Sequence, residues 1–199
     1  MNKKILHIAE SSVFLERTYN LFESFYPNEN VFLINSLIKQ HGTYNYSEFK
    51  SIIEADYNSD AFNAVLQNAS EKYYLCIFHN IGIPYKKNIA HELKGKVPIH
   101  GVCWGWEIYD NPHLKNFLFQ AETLKLRNRI YPSNSNGIKH VLKQYIRRLL
   151  KPNILMNKHK DVFNLLDSYS TILKSENTFM KHYYRYKKPF FEFTYTAGL

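Results

Sequence analysis

The first half of the chain alternates short apolar runs with segments in which apolar residues recur every three or four positions. Apolar runs of about four to eight residues between turn residues predict buried strands. The spacing of Leu15, Tyr19 and Phe22 predicts an amphipathic helix that ends before Pro27. The predicted strands are Lys4–Ala9, Val31–Ile34, Lys50–Ile53, Tyr73–Phe78 and Ile99–Cys103, and further helices are predicted from Ser59 or Asp60 and over Asn88–Leu93.

The pattern after Tyr109 is mainly helical. Strands that alternate with helices predict an α/β fold, here a Rossmann-like parallel sheet with helices on both faces and extra helices in the C-terminal part. We expect one domain over residues 1–185 and the start of a linker toward a second domain at 186–199, because the aromatic strand near the C-terminus has no obvious pairing partner. The predicted elements of this half are helices over Pro112–Leu126, residues 138–151, Lys158–Leu166 and Glu176–Tyr184, and extended segments over Tyr169–Leu173 and Phe190–Tyr195.

Composition narrows the possible classes of protein. The chain has 199 residues, which suffices for one full domain with a sizeable core. Its two cysteines, Cys76 and Cys103, each lie inside an apolar run, which disfavours a disulfide framework and a thiolate zinc site. No signal peptide and no stretch of about 18 apolar residues is recognisable, so we expect a cytoplasmic protein without a transmembrane helix.

The net charge of +9 is unevenly distributed. Residues 1–110 carry 10 Lys and Arg against 12 Asp and Glu, a net charge of −2, whereas residues 111–199 carry 16 against 5, a net charge of +11. An anionic partner is therefore expected to bind the second half. The predicted helix at 138–151 has an apolar stripe and an opposite face that includes Lys139, Lys143, Arg147 and Arg148.

This basic face allows three interpretations. It is a solvated surface, a surface that contacts anionic lipid, or a nucleic-acid patch. The nucleic-acid interpretation has the least support, because no RNP pair, helix-turn-helix spacing or zinc motif accompanies it.

Polar residues that could do chemistry follow the predicted strands. Ligands of open α/β sheets bind outside the carboxyl ends of the strands, where the strand order reverses. Two acids and a histidine near one another at that edge are chemically capable of taking a proton from a hydroxyl group. The residues expected there are Glu10, Ser11, Ser12, Asn35, Ser36, His79, Asn80 and the stretch Trp104–Glu107.

The most informative stretch is Val97–Tyr109, in which a buried strand leads into Trp-Gly-Trp-Glu-Ile-Tyr. Gly105 allows the backbone to turn, and the indoles of Trp104 and Trp106 offer flat apolar walls suited to sugar rings or bases. Glu107 and Tyr109 follow directly. This stretch predicts a ligand site at the end of the strand.

A structural role is the alternative for each candidate. His79 would then bond a neighbouring backbone group, Glu107 would cap a helix or pair with a lysine, and Glu10 would compensate a helix dipole. His7 and His100 lie within predicted strands and are interpreted as core histidines, and both tryptophans could equally be core residues.

Several other functions are disfavoured by the motifs. The chain contains no Gly-x-Gly-x-x-Gly after the first strand, no Walker loop, no Gly-x-Ser-x-Gly elbow and no His-Glu-x-x-His. The sequence therefore disfavours a dinucleotide-binding enzyme, a P-loop enzyme and a serine hydrolase. His, Asp and Glu residues do not cluster at metal-ligand spacing, so no metal site is predicted.

Three segments resemble a known family. The start Ile5–Ala9, the strand end Ile77–His79 and above all Cys103–Tyr109 resemble the bacterial 4-acetamido-4,6-dideoxygalactose (Fuc4NAc) transferases, whose members show a Trp-Gly-x-Asp-x-Tyr type signature. Glu107 stands here where the signature has aspartate. The stretch Ser170–Tyr195 also looks like the passage out of the family's first domain.

The resemblance implies a GT-B glycosyltransferase with two Rossmann-like domains, of which this chain is the N-terminal, acceptor-binding one. It implies transfer of a deoxy-amino sugar from a nucleotide-sugar to a lipid-linked saccharide in cell-surface polysaccharide synthesis, at the inner face of the membrane and without a cofactor or metal. Glu107 or His79 would take the acceptor proton. Substrate would be bound by Glu10, Ser11, Ser12, Asn80, Trp104, Gly105, Trp106 and Tyr109, and the membrane surface by Lys139, Lys143, Arg147 and Arg148.

The alternative is a non-catalytic binding module of Rossmann-like shape. Its basic half would bind RNA or an acidic protein.

Overall fold

The computed structural model describes residues 2–39, 46–105, 129, 161–183 and 186–193. Within these ranges the chain forms one seven-stranded sheet in the order β3-β2-β1-β4-β5-β6-β7, and all neighbouring strands pair in parallel. The predicted Rossmann-like α/β fold is therefore confirmed. The strands are β1 (Lys4–Ser11), β2 (Asn30–Lys39), β3 (Ile52–Ala55), β4 (Tyr73–His79), β5 (Ile99–Cys103), β6 (Ser168–Thr171) and β7 (Phe190–Glu192).

Helices connect the strands and cover the sheet. Ser59 begins one of them as predicted, since its side chain accepts a hydrogen bond from the backbone N–H of Phe62. Residues 161–165 are helical as well, inside the segment predicted for Lys158–Leu166. The helices are α1 (Val13–Phe25), α2 (Asp60–Leu66), α3 (Ala69–Lys72), α4 (Pro84–Leu93) and α5 (Lys174–Tyr183).

Alternate residues of each strand contribute to different hydrophobic clusters. Leu6 and Ile8 of β1 belong to the largest cluster, which also includes residues of α2, α4, α5 and the segment 161–165. Ile5 and Ala9 belong to two smaller clusters on the face that α1 covers. This alternation follows from the two-residue period of a strand, and it places both sides of the central strands in the core.

Two elements extend well beyond their predicted bounds. Strand β2 continues past the predicted apolar run to Lys39, and its residues Asn35 and Lys39 pair with Glu10 and Ser11 of β1 across an irregularity in the register. Helix α4 begins at Pro84 rather than at Asn88, since proline is well suited to the first turn of a helix.

The expectation that the C-terminal aromatic segment is unpaired was wrong. Phe190, Phe191 and Glu192 pair in parallel with Tyr169, Ser170 and Thr171, so the segment is the seventh strand of the sheet. The helices predicted for Pro112–Leu126 and 138–151 lie outside the described residues.

Candidate functional site

The strand order reverses between β1 and β4. The chain proceeds from β1 to β2 and β3 on one side, and from β4 to β5, β6 and β7 on the other. Connecting segments diverge at such a reversal, and open α/β sheets usually bind their ligands there, at the carboxyl ends of the strands. The residues at this edge include Glu10, Ser11 and Ser12 from β1 and its end, and His79 and Asn80 from the end of β4.

A buried ion pair lies beside this reversal of strand order. The Glu10 carboxylate is 2.8 Å from Lys86 Nζ, and both side chains are fully buried. The hydroxyl group of Tyr85 donates to Glu10 Oε1 at 2.7 Å. Burial, followed by the neighbouring Glu10 charge, raises the pKa of Tyr85, so this phenol remains a hydrogen-bond donor. The charge of Glu10 is therefore compensated inside the fold by two residues of α4.

Lys86 also connects this carboxylate to the end of β4. Its ammonium group donates to the backbone carbonyl oxygen of His79 and, at 3.0 Å, to that of Asn80. Asn80 itself has a φ of 59°, a left-handed conformation that asparagine tolerates better than most residues. Its N–H donates to the carbonyl oxygen of Val102 in β5. One lysine thus holds the turn at the end of β4.

His79 is only 1% exposed and is surrounded by aromatic rings. Its Nε2 lies 3.0 Å from Nδ1 of His7, and its ring contacts those of Phe22 and Phe32. Burial, together with the nearby His7 and Lys86, holds the pKa of His79 well below its usual value of 6.5. The imidazole is therefore neutral at physiological pH and able to accept a hydrogen bond.

The prediction that His7 is a core histidine is confirmed. His7 is fully buried and stacks on Phe32, with ring centroids 4.0 Å apart. Burial lowers the pKa of His7 to about 3, although the hydrogen bond with Asn30 opposes this shift.

His100 is likewise satisfied within the sheet. Its two ring nitrogens lie 2.8 Å and 2.9 Å from the hydroxyl oxygens of Ser168 and Ser170, and burial lowers its pKa to about 4.

Two serines, the last residue of β1 and the residue after it, directly precede α1. Ser11 Oγ is 3.0 Å from the hydroxyl oxygen of Tyr46, which also accepts from the backbone N–H of Ser12 at 3.2 Å. Ser12 occupies the N-cap position of α1, but its side chain makes no capping hydrogen bond. In the part of the chain that the structure describes, Ser12 Oγ is buried without a hydrogen-bond partner.

Trp104 stands at the end of β5, beside the same edge of the sheet. Its indole is partly buried against the cluster of Ile5, Ile77 and Val102, and its ring meets that of Phe14 edge-on, with centroids 5.3 Å apart. Gly105 has a φ of 95°, so the predicted role of this glycine in turning the backbone is confirmed. The partly buried indole thus lies near the N-terminal turn of α1.

The remaining candidates lie outside the described residues, so they stay predictions. They are Trp106, Glu107 and Tyr109 of the aromatic stretch, and Lys139, Lys143, Arg147 and Arg148 of the basic helix.

Sequence reasoning missed Lys86 because the helix was expected to begin only at Asn88. With α4 starting at Pro84, Lys86 joins Ile89, Ala90 and Leu93 on one buried stripe. A lysine on the apolar stripe of a helix needs a buried carboxylate partner. The helical spacing of Lys86 with these apolar residues was therefore the signal in the sequence that could have identified it. Asn30 and Tyr46 carried no comparable signal, since their contacts depend on residues distant in sequence.

No group of three or more His, Cys, Asp or Glu side chains in the described residues is arranged to hold a metal ion. None of the helices described is long and apolar enough to cross a membrane. Comparison with known proteins finds no family model that matches this chain and no curated protein that matches its sequence.

Proposed function

We propose that this chain is the acceptor-binding domain of a glycosyltransferase that moves a deoxy-amino sugar from a nucleotide-sugar to a lipid-linked saccharide. The observation that carries the proposal is the reversal of strand order between β1 and β4, where an indole, two serines and a neutral histidine lie at or beside the carboxyl edge of one parallel sheet. Such reversals are the usual ligand sites of open α/β sheets. The resemblance of Cys103–Tyr109 to Fuc4NAc transferases supports the same class.

The side chains have distinct roles in this proposal. Trp104 stacks its indole on the apolar face of a sugar, and the hydroxyl group of Ser11 bonds a sugar hydroxyl. His79 accepts the proton or hydrogen bond of the acceptor hydroxyl. Glu10 is engaged by Lys86 and Tyr85, so it has a structural role rather than removing a proton.

Glu107 remains the proposed alternative to His79 as the base. Trp106 and Tyr109 complete the sugar site in this proposal. The nucleotide-sugar is bound by a second domain, so acceptor binding is the activity expected of this chain by itself.

The test is binding of a water-soluble lipid-linked saccharide analogue, measured by calorimetry. Trp104→Ala is expected to weaken binding about tenfold, equivalent to about 1.4 kcal/mol, through loss of ring stacking. Phe25→Ala is the matched control, because Phe25 is an exposed aromatic residue at the far end of α1. Binding that is unchanged by Trp104→Ala, or equally weakened by Phe25→Ala, would contradict the proposed site.

A non-catalytic binding module is the second candidate. The observation that favours it is the burial of Glu10 and His79, each 1% exposed and each bonded within the fold. In that case these residues stabilise the sheet, and the basic second half binds RNA or an acidic protein. Failure of any saccharide to bind, together with salt-sensitive RNA binding, would favour this candidate.

A further inference from the structure

A row of hydrogen bonds crosses the face of the sheet that α1 covers. It begins at Glu23 of α1, whose Oε1 accepts from Asn30 Nδ2 at 2.9 Å. Asn30 Oδ1 lies 3.1 Å from His7 Nε2, and His7 Nδ1 lies 3.0 Å from His79 Nε2. Each ring nitrogen of a neutral histidine is either a donor or an acceptor. The direction of one bond in the row therefore determines the direction of the next.

The orientation of the Asn30 amide is set by two neighbouring oxygens. Asn30 Nδ2 lies 2.9 Å from the carboxylate of Glu23 and 2.7 Å from the carbonyl oxygen of Tyr26. Both of these groups only accept hydrogen bonds, so they require the NH₂ group of the amide. A flipped amide would direct its carbonyl oxygen at two acceptors and leave a buried polar group unsatisfied. The Oδ1 atom of Asn30 therefore faces His7.

This orientation determines where the proton of His7 lies. Oδ1 of Asn30 only accepts, so His7 Nε2 must carry a hydrogen. His7 is fully buried, and burial lowers its pKa to about 3, so the ring is neutral and has only one N–H. The other nitrogen, His7 Nδ1, consequently has the lone pair and requires a donor.

We infer that Asn30 and His7 are positioning residues that hold His79 in its Nε2–H tautomer. His79 Nε2 is the donor that His7 Nδ1 requires, at 3.0 Å. Because the His79 ring is neutral, its Nδ1 is the hydrogen-bond-accepting nitrogen. Fixing a histidine tautomer through a partner on the other nitrogen is a common device of functional sites.

This assignment restricts the chemistry of the group that His79 contacts. An accepting nitrogen is complementary to the hydrogen of a hydroxyl or amide group, and it is not complementary to an oxygen of a phosphate or carboxylate. The consequence for the ligand rests on the proposed function, in which the ligand is a sugar. In that setting, Nδ1 of His79 is complementary to an O–H or N–H group rather than to the diphosphate of the acceptor.

The tautomer can be observed directly in the wild-type chain. Long-range ¹H–¹⁵N spectra are recorded at neutral pH on the full chain containing ¹⁵N-labelled histidine, and each ring is assigned by through-bond correlation to its own backbone. We expect His7 and His79 each to show a protonated Nε2 and an unprotonated Nδ1. A protonated Nδ1 in either ring would overturn the inference. The spectra do not depend on sugar transfer, so they test the tautomer independently of the proposed function.

Asn30→Ala tests the positioning role. Without the acceptor at residue 30, His7 is free to exchange tautomers, and the ¹⁵N shifts of His79 are expected to become those of a mixture. Asn35→Ala is the matched control, since Asn35 is also buried on β2 but its Oδ1 accepts from the backbone N–H groups of Leu37 and Tyr57. A single Nε2–H tautomer at His79 in the folded Asn30→Ala chain would show that Asn30 is not a positioning residue.

Discussion

Lys86 of α4 and Glu10 of β1 form a salt bridge of 2.8 Å in which neither side chain is exposed to solvent. The two residues are distant in sequence, and the ammonium group also bonds the carbonyl oxygens of His79 and Asn80. A buried charge without a partner is far more costly than a paired one. The salt bridge and these hydrogen bonds therefore link the end of β1 to the end of β4.

Lys86→Met is expected to lower the free energy of unfolding by about 3–5 kcal/mol, because it leaves the Glu10 carboxylate buried without its counter-charge. Urea unfolding followed by circular dichroism measures the change. The double variant Lys86→Met with Glu10→Gln should recover part of the loss, since the uncompensated charge is then absent. Equal stability of the single and double variants would contradict this account.

The control is Lys87→Met, on the same helix one residue further along. Lys87 pairs with Asp161 at the same 2.8 Å distance, but the two side chains are 39% and 52% exposed. Water screens such a pair, so no measurable loss of stability is expected. Burial rather than pairing distance is thus the variable that the comparison isolates.

Gly101→Ala is expected to destabilise the fold by about 1–3 kcal/mol through overpacking. A Cβ atom at this position would lie 2.5 Å from Leu166 Cδ1 and 3.0 Å from Ile81 Cγ2. In Gly101→Ala with Leu166→Ala, the alanine methyl occupies part of the space that Leu166 leaves. In thermal unfolding, the double variant should therefore lose less stability than the summed losses of the two single variants.

Stability is expected to fall as the pH decreases below about 6.5. Burial holds the pKa of His7 at about 3 and that of His100 at about 4 in the folded chain, against the ordinary 6.5. Between those values the unfolded chain binds protons that the folded chain does not, so acid favours unfolding. For each of these histidines the loss between pH 6.5 and pH 5 is at most about 2 kcal/mol.

His100→Gln should reduce this acid dependence, as measured by urea unfolding from pH 7.5 to pH 5. The replacement retains a polar side chain between Ser168 and Ser170 but removes the titrating ring. The matched control is His91→Gln, at an exposed position on α4. A stability profile that is flat below pH 6.5 in the wild-type chain would contradict the prediction.

Reversing the charges of Lys143, Arg147 and Arg148 to glutamate is expected to weaken binding to anionic vesicles, because each basic group near such a surface contributes about 1 kcal/mol. Vesicle sedimentation measures binding, and far-UV circular dichroism checks that the chain remains folded. Lys174→Glu with Lys181→Glu, at exposed positions of α5, is the control. RNA binding that falls steeply with salt, without vesicle binding, would favour the alternative function.

Local sequence patterns were sufficient to predict most of the sheet and several connecting helices. The apolar runs at Tyr73–Phe78 and Ile99–Cys103 became β4 and β5 with little change in their bounds. Such runs are informative because a strand covered on both faces must be apolar at almost every position. The same reasoning failed for residues 35–39 of β2, where Asn35 and Lys39 pair with Glu10 and Ser11 of β1 beyond the predicted run.

The sequence by itself therefore determined the fold class, the parallel sheet, and the positions of Glu10, His79 and Trp104 at the ends of their strands. Only the tertiary structure decided that Glu10 pairs with Lys86, that His79 bonds His7, and that the C-terminal aromatic segment joins β6. The physical reason is that strand formation follows the local alternation of apolar and polar residues. A buried side chain, in contrast, acquires its partners from whichever elements the packing brings within hydrogen-bond distance.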